Sequence, residues 1–389
     1  MRRFALAMLA TASLSGVVSA SSPPVDVTNL IKKIKSVGTE GKGNNAAANA
    51  SAMLSSGSLD LVPMVLEAFD DANPVANNWL RSSIDTLVEN GRKAKLKVDS
   101  KKLKSFIETT KNSKAGRRLA YDLLAVDHKD IADALVPGFQ DDPQPDLRRL
   151  AIDHGIKQVT AKIEPAAAIK AYQGLLTSAR DEDQITELAK KLEDLKAPVN
   201  LTKHFGFITE WNVSTAFDNK DGAGFAKAFD PEAKHDRTNW KYAQSADTMG
   251  LVDLNKALEK KKSLVAYASA RLTFDADTTL DVRAQSQNAT KIFVNGKEVL
   301  AREEYHHGAF LDQHIATVTM KKGENEILVK VCQNDQTQPW CEPWAFACRL
   351  SDSTGKAIRV KQVVVKNGKP VTVEMGELAE KTTPKKEDK

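Results

Sequence analysis

The chain has 389 residues, 41% of them hydrophobic and 28% charged, with a formal charge of +5. That composition is ordinary for a globular protein and excludes both a membrane-embedded chain and a mostly disordered one. Arg2, Arg3 and the lysine-rich stretch 381–389 carry most of the excess charge, so the body is nearly neutral and has no concentrated basic face for nucleic acid. The Lys260, Lys261, Lys262 run reads as a solvated turn.

Residues 1–20 have the three parts of a secretory leader. Arg2-Arg3 is followed by an apolar stretch over 4–18, and Ser19 and Ala20 supply the small residues that cleavage requires. An exported protein, periplasmic or secreted, is expected. No later segment reaches the ~18 apolar residues of a membrane span. Residues 21–57, rich in Ala, Asn, Gly and Ser, read as a flexible lead-in.

A helical period runs from 58 to 198. Leu59, Val62, Val65, Leu66 and Phe69 form one apolar stripe, and Asn73-Pro74 supplies a cap and first-turn proline for the next helix. That helix carries Trp79, Leu80, Ser83, Ile84, Leu87 and Val88, and Asn90-Gly91 is expected to end it. Further helices are predicted over 165–177 and 181–195. RRLAYD at 117–122 recurs as RRLAID at 148–153, and VPMVLEAFDD at 62–71 is echoed at 131–142. Helical hairpins that recur in this way bury their faces by stacking, which predicts a HEAT-like α-solenoid. Arg117, Arg118, Arg148 and Arg149 read as structural arginines bonding carbonyls or the acids Asp122 and Asp153, rather than as an anion-binding ridge.

From 199 to 375 alternation replaces the helical period. Leu264–272, Leu280–285, 291–294 and 297–300 around Asn295-Gly296, 315–320, 327–332, 344–350, and a final hairpin around Asn367-Gly368 read as strands. About eight strands predict an antiparallel β-sandwich of jelly-roll type. The fold class expected is therefore α+β multidomain, a HEAT-like solenoid followed by this sandwich. The Lys-, Glu-, Pro- and Thr-rich residues 376–389 read as a disordered tail.

The segments WNVSTAFDNKDGAGFAKAFDPE (211–232), KIFVNGKEVL (291–300), GENEILVKV (323–331) and WAFACRL (344–350) resemble galactose-binding-like jelly rolls of the kind that accompany glycoside hydrolases. The order of leader, helical repeats and jelly roll resembles an uncharacterised family of exported bacterial proteins. The resemblance implies a sandwich that binds a glycan, peptide or lipid, or braces its neighbours. It carries no catalytic residue over.

Candidate site residues follow from chemistry. Trp340, beside Pro339, and Trp240 and Tyr242 are aromatic faces that can stack on sugar rings, with Arg283, Asn288 and Asp312 placed to bond hydroxyls. Trp344 and Trp211 read as core. Asp218, Asn219 and Asp221 before Gly222 could hold a structural calcium, although the spacing of a full calcium loop is missing and a turn with local side-chain bonds is the plainer reading. Glu303, Glu304, His306, His307, Asp312 and His314 are dense in metal-ligating types, but adjacent strand histidines face opposite ways, which favours a polar rim loop. Cys332, Cys341 and Cys348 allow one bridge with an odd thiol, or buried free thiols.

No catalytic motif with its proper context is present. The sequence points to an exported, non-enzymatic binding or scaffold protein, with protein contacts on the helical repeats and glycan binding or bracing by the jelly roll. A polysaccharide hydrolase with an interdomain cleft and a purely structural protein are the alternatives.

Overall fold

A computed structural model describes residues 26–377 except Asp71, Ala161, Lys162, His235, Thr238 and Ala246. The predicted leader over 1–20 and most of the predicted tail lie outside the described residues. The fold is α+β, and the chain forms two compact units, one through Asp133 and one from Ala134.

The first unit is helical: α1 (Val27–Lys35), α2 (Asn44–Ser55), α3 (Val62–Glu67), α4 (Pro74–Lys93), α5 (Ser100–Glu108), α6 (Lys114–Asp127) and α7 (Lys129–Leu135), which runs across the division. The stretch read as a flexible lead-in instead holds α1 and α2. Leu30, Ile34, Ala47, Ala50 and Leu54 are buried, and alanine's small side chain lets α2 pack closely on α4. Asn73 caps α4 as predicted, its Oδ1 accepting from the Ala76 amide at 3.0 Å. Asn90-Gly91 does not end α4. A Cβ on Gly91 would lie 2.7 Å from Leu59 Cδ1, so the glycine serves close approach inside the helix.

Polar bonds tie helices about one repeat apart. Ser51 meets Ser83 at 2.8 Å, Asn90 Nδ2 donates to the Ser55 carbonyl, and Arg92 pairs with Asp127 at 3.1 Å. The two RRLA motifs use their arginines alike. The first is buried and bonds a carbonyl: Arg117 Nε donates to Ile107 O at 2.7 Å, and Arg148 Nη1 to Asp142 O at 2.8 Å. The second pairs with an acid, Arg118 with Asp122 and Arg149 with Asp183 and Asp181. Asp153, the other acid expected to serve, accepts from Gln184 instead.

The second unit opens with α8 (Pro145–Gln158), α9 (Pro165–Ser178), α10 (Glu182–Asp194) and α11 (Leu201–Phe205). Then come β1 (Glu210–Val213), β2 (Phe217–Asp218), α12 (Asp230–Ala233), β3 (Lys241–Gln244), β4 (Val252–Asp253), α13 (Leu254–Ala257), β5 (Leu264–Phe274), β6 (Thr278–Ser286), β7 (Ala289–Val294) and β8 (Lys297–Arg302). The last strands are β9 (His314–Met320), β10 (Gly323–Gln333), β11 (Ala345–Ser351), β12 (Lys361–Lys366) and β13 (Lys369–Glu374). One sheet runs β13-β12-β5-β10-β7-β8, with β1 and β2 also on β5 and β3 on β1; the other runs β4-β11-β6-β9, and every strand pair is antiparallel. The predicted hairpin turns take positive φ at Asn295, Gly296, Asn367 and Gly368, as two-residue turns of this kind require.

Inward residues of both sheets share one core: Ala266, Ala268 and Val329 from the larger, Val282, Phe346 and Cys348 from the smaller, with Trp211 and Trp344 between. Each outer face is covered too. Ala347 on β11 packs with Phe205, Phe207 and buried residues of α8–α10. Tyr267, Leu328 and Cys332 pack under Phe225, Phe217, Phe229 and Trp240. Strand residues apolar on both faces follow from this double burial.

The covered face of the larger sheet holds two buried cations. Lys330, 0% exposed, ends among Phe225 O at 3.0 Å, Lys227 O at 2.7 Å and Glu232 Oε1 at 2.9 Å, with the Phe229 and Tyr267 rings beside it. Arg237, also buried, pairs with Glu326 at 2.8 Å. Removing one member of a buried pair leaves the other uncompensated. Lys330→Ala is expected to lose about 3–5 kcal/mol in chemical denaturation, with Lys330→Met plus Glu232→Gln recovering most of it; equal losses in both variants would refute the pairing as the cause.

Candidate functional site

The predicted site residues divide into those already bonded within the fold and those that line open space. Arg283 and Asp312 belong to the first group. Arg283 Nη1 donates to Asp312 Oδ2 at 2.7 Å and Nη2 to Asp281 Oδ2 at 2.9 Å. Arg349, on the neighbouring strand, grips Asp312 with Nε and Nη2 at 2.6 Å each, while Nη1 donates to Phe205 O at 2.9 Å. Burial by itself would raise the Asp312 carboxyl, but the hydrogen bonds and charges of Arg349 and Arg283 outweigh it and hold it below the usual carboxylate range. Arg283 and Asp312, expected on sugar hydroxyls, are bonded within the fold: with Arg349 they join β6 and β11 to the turn before β9 and to α11 on the covered face of the smaller sheet.

Trp240 is half-buried in the apolar cover of the larger sheet, with the Arg237 guanidinium 4.6 Å from its ring centre. Tyr242 is half-buried on β3 with Lys366 Nζ 4.7 Å from its ring centre, and it lines a shallow recess beside Gln244 and Asp253. Neither presents a free face of the kind Trp340 does. The 218–222 loop is organised by Asn219, which is fully buried. Its Oδ1 accepts from the Gly224 amide at 2.9 Å and its Nδ2 donates to Gln333 O at 2.9 Å, so that oxygen does not face a cation. Asp218 and Asp221 are exposed. The His/Glu segment does not converge either: His306 Nε2 meets Asn334 Oδ1 at 2.8 Å, His314 is buried on β9, and Asp312 faces the arginines. Among the described residues no three His, Cys, Asp or Glu side chains group as metal ligands would.

Besides Tyr242 and the exposed Asp218 and Asp221, Trp340 and Asn288 border open space. Trp340 is 68% exposed in the 339–341 turn. Asn288 is 2% exposed and lines a cleft of about 250 Å3. Its Oδ1 accepts from the Ala345 amide at 3.3 Å, while its Nδ2 is buried with no partner. The cleft combines apolar Met249, Leu251, Leu311 and Pro343 with polar Gln285 and Asp247. The exposed Phe310 adjoins Leu311 in the same loop.

Beyond Trp340, a second recess of about 230 Å3 is lined by Asn255, Lys260, Lys262, Gln333, Thr337 and Glu342. Gln333 Oε1 and Asn255 Oδ1 are buried there without partners. Segment 339–345 contributes to both recesses, Pro343 and Ala345 to the first and Glu342 to the second, and each contains an unsatisfied amide atom. Sequence patterning singles out Trp340 and Asn288 but misses Gln333 and Asn255, because a glutamine at a strand end carries no signal of what lies beside it.

The sequence matches no protein-family model, and no curated protein matches it. Among solved structures the chain is similar to a family 35 carbohydrate-binding module from Clostridium thermocellum, at 9% identity and a TM-score of 0.20, over 38% of this chain and 97% of that one. It is similar to the PA14 domain of the antifreeze protein MpAFP, at 11% identity and a TM-score of 0.24, over 43% of this chain and 90% of that one. A β-glucosidase from Kluyveromyces marxianus, in complex with glucose, matches at 9% identity and a TM-score of 0.26, over 71% of this chain and 36% of its own. Likenesses this distant bear on neither substrate nor activity.

All three cysteines are free and buried, Cys332 under the outer cover of the larger sheet and Cys348 between the sheets. Burial pushes both thiols up to about 12. Thiolate is the reactive form, so Cys332 and Cys348 should stay unlabelled by a thiol reagent at neutral pH in the native chain, and both should react after denaturation. The Asp312 network gives a second expectation. A carboxyl with a lowered folded pKa adds stability above its unfolded pKa, and loses it as pH falls through the folded value. Asp312→Asn is expected to cost about 3 kcal/mol near pH 7, with the gap to wild type closing below roughly pH 4; denaturation curves against pH measure both.

Proposed function

We propose that the two-sheet region is a non-enzymatic carbohydrate-binding module of jelly-roll type, with its ligand in the Asn288 cleft and against the Trp340 face. The observation that carries this reading is the Asn288 amide: a buried donor without a partner, in a cleft whose walls mix apolar surface with amide and carboxylate groups. An unsatisfied buried donor costs about 1–3 kcal/mol, and a sugar hydroxyl, which both accepts and donates, satisfies it. Trp340 adds a flat apolar face that suits the C–H face of a pyranose, and nothing in the fold requires a tryptophan exposed there.

On the smaller sheet, ion pairing of the acids supports binding over hydrolysis. Glycoside hydrolysis needs one carboxylic acid with a raised pKa facing a second carboxylate. Asp281 and Asp312, the buried acids of the smaller sheet, are instead held by Arg283 and Arg349. The helices, with their bonds about one repeat apart, support a HEAT-like solenoid that presents a surface to a protein partner. The leader-like sequence supports an exported location, and a structural calcium at Asp218–Asp221 gains nothing from the position of Asn219.

The test is a glycan-array screen of the full chain, with wild type, Trp340→Ala and Asn288→Asp compared on any hit. Asn288→Asp keeps the acceptor and removes the donor, so an affinity loss of about 5–30-fold is expected, the size of one lost hydrogen bond. Trp340→Ala should weaken binding about tenfold or more. A blank array, or a hit indifferent to both substitutions, would overturn the reading.

A further inference from the structure

A further cleft lies elsewhere in the second unit, where the α9–α10 turn and α11 meet the 355–359 turn, and it has different chemistry. Its volume is about 190 Å3, and Arg180, His204, Lys356 and Arg359 line it together with Phe205 and Gly355. No aspartate or glutamate is among the lining residues. Nearby Arg283 and Arg349 are matched by Asp281 and Asp312, but Arg180, Lys356 and Arg359 have no carboxylate within ion-pair distance among the described residues.

Arg180 is already oriented. Its Nη1 donates to Thr177 O at 2.8 Å and to Ala179 O at 2.7 Å, which fixes the guanidinium plane. Its Nε is buried with no partner, and its Nη2 makes no hydrogen bond among the described residues. That Nε–Nη2 edge is the one Arg349 uses to grip both oxygens of Asp312. The same fork is therefore filled in one arginine and empty in the other.

The surroundings concentrate positive charge. Gly355, at φ +87°, sits where an added Cβ would lie 3.5 Å from Arg283 Nη1, 3.6 Å from Arg180 Cδ and 3.7 Å from Arg349 Nη2. His204 is pushed down to about 4, first by burial and then by the charges of Arg180, Arg349 and Arg359. Burial and then the Arg148 charge lower the Arg180 guanidinium as well. Asp352 moderates this field but spends its Oδ1 on Thr354 and Lys356 amides in its own turn.

We propose that this cleft binds the tetrahedral oxyanion of a sulfate or phosphate group, gripped side-on by the Arg180 Nε–Nη2 edge, with Arg359 and Lys356 completing the charge. Planar guanidinium forks suit such bidentate oxyanion contacts. Three cations without an acid match a dianion, whereas a single carboxylate would leave most of the charge uncompensated. The group can be a free ion or an ester on a sugar. The proposal does not depend on the Asn288 cleft, since no residue lines both.

The test is calorimetric titration of the full chain at low ionic strength with sodium sulfate, inorganic phosphate, glucose 6-sulfate, glucose 6-phosphate and glucuronate. Saturable binding of the tetrahedral dianions is expected, weakened about tenfold or more by Arg180→Gln and about threefold by Arg359→Gln. Preference for the esters over the free ions would assign an ester as the source, and the reverse a free ion. Arg359 is exposed and makes one long bond, to Lys203 O at 3.3 Å, so its variant tests the site even if Arg180→Gln folds poorly. In wild type, the His204 titration midpoint followed by NMR should rise when sulfate, whose charge is constant over this range, is added. No saturable binding at millimolar concentration with an unmoved His204, equal binding by the Arg180→Gln variant, or glucuronate binding as well as sulfate would each overturn the proposal.

Discussion

The second unit depends on how it treats charge buried on the outer faces of its two sheets. Lys330 sits in the middle of β10 and Arg349 in the middle of β11, and both side chains point away from the shared core. A cation in a central strand is cheap when that face meets water and expensive when it is covered. Both faces here are covered, so both cations need full sets of partners: Glu232 and two carbonyls for Lys330, and Asp312 with the Phe205 and Gly355 carbonyls for Arg349. Those partners come from the covering segments themselves. The 225–232 stretch reaches Lys330 from its backbone and from Glu232, and α11 and the 355 turn reach Arg349. Each buried cation thus pins one covering layer to one sheet, and it does so directionally, which apolar contact cannot do.

This constraint decides which polar residues can bind anything. Arg283 and Asp312 look like ligand contacts by residue type, yet they are partners in the network that carries Arg349. Among the buried atoms without partners in the described residues, those on residues that line one of these clefts are the donor of Asn288, the acceptors of Gln333 and Asn255, and the Nε of Arg180; the exposed Trp340 face adds to them. Buried polar atoms in folded proteins are nearly always satisfied. Unsatisfied ones that cluster beside open clefts are therefore better guides to a site than the abundance of acids or aromatics in a stretch of sequence.

Much of the architecture was legible in the sequence. The Asn-Gly pairs at 295 and 367 mark their hairpins because few other residues adopt positive φ cheaply, and Asn73-Pro74 marks the start of α4 for similarly local reasons. The RRLA repetition marks equivalent helices, and its two arginines take equivalent partners. Features set by distant neighbours were not legible. Gly91 reads as a stop signal from its local context and is instead a contact for Leu59. The 27–55 stretch looks too small-residued to fold, yet alanines permit close helix packing there. The short strands β1–β4 have too few residues to show a period. At the sites, Trp340, Asn288, Arg283 and Asp312 were all chosen for residue type; the fold leaves Trp340 exposed and the Asn288 donor unpaired, whereas it pairs Arg283 with Asp312. The difference is set by Arg349, which no local pattern connects to them.

On the reading proposed above, carbohydrate meets the spare polar capacity around Asn288 and Trp340 and not the ion-paired networks on the sheet faces. Resonance mapping tests it most directly: the full chain is titrated with a mixture of xylo-, cello-, manno- and galacto-oligosaccharides, and side-chain amide, indole and guanidinium signals are followed. Shifts are expected at the Asn288 side-chain amide and the Trp340 indole, with the Arg283 and Arg349 guanidinium signals unmoved. Shifts centred on Arg283 and Arg349, or none at Asn288 and Trp340, would contradict it.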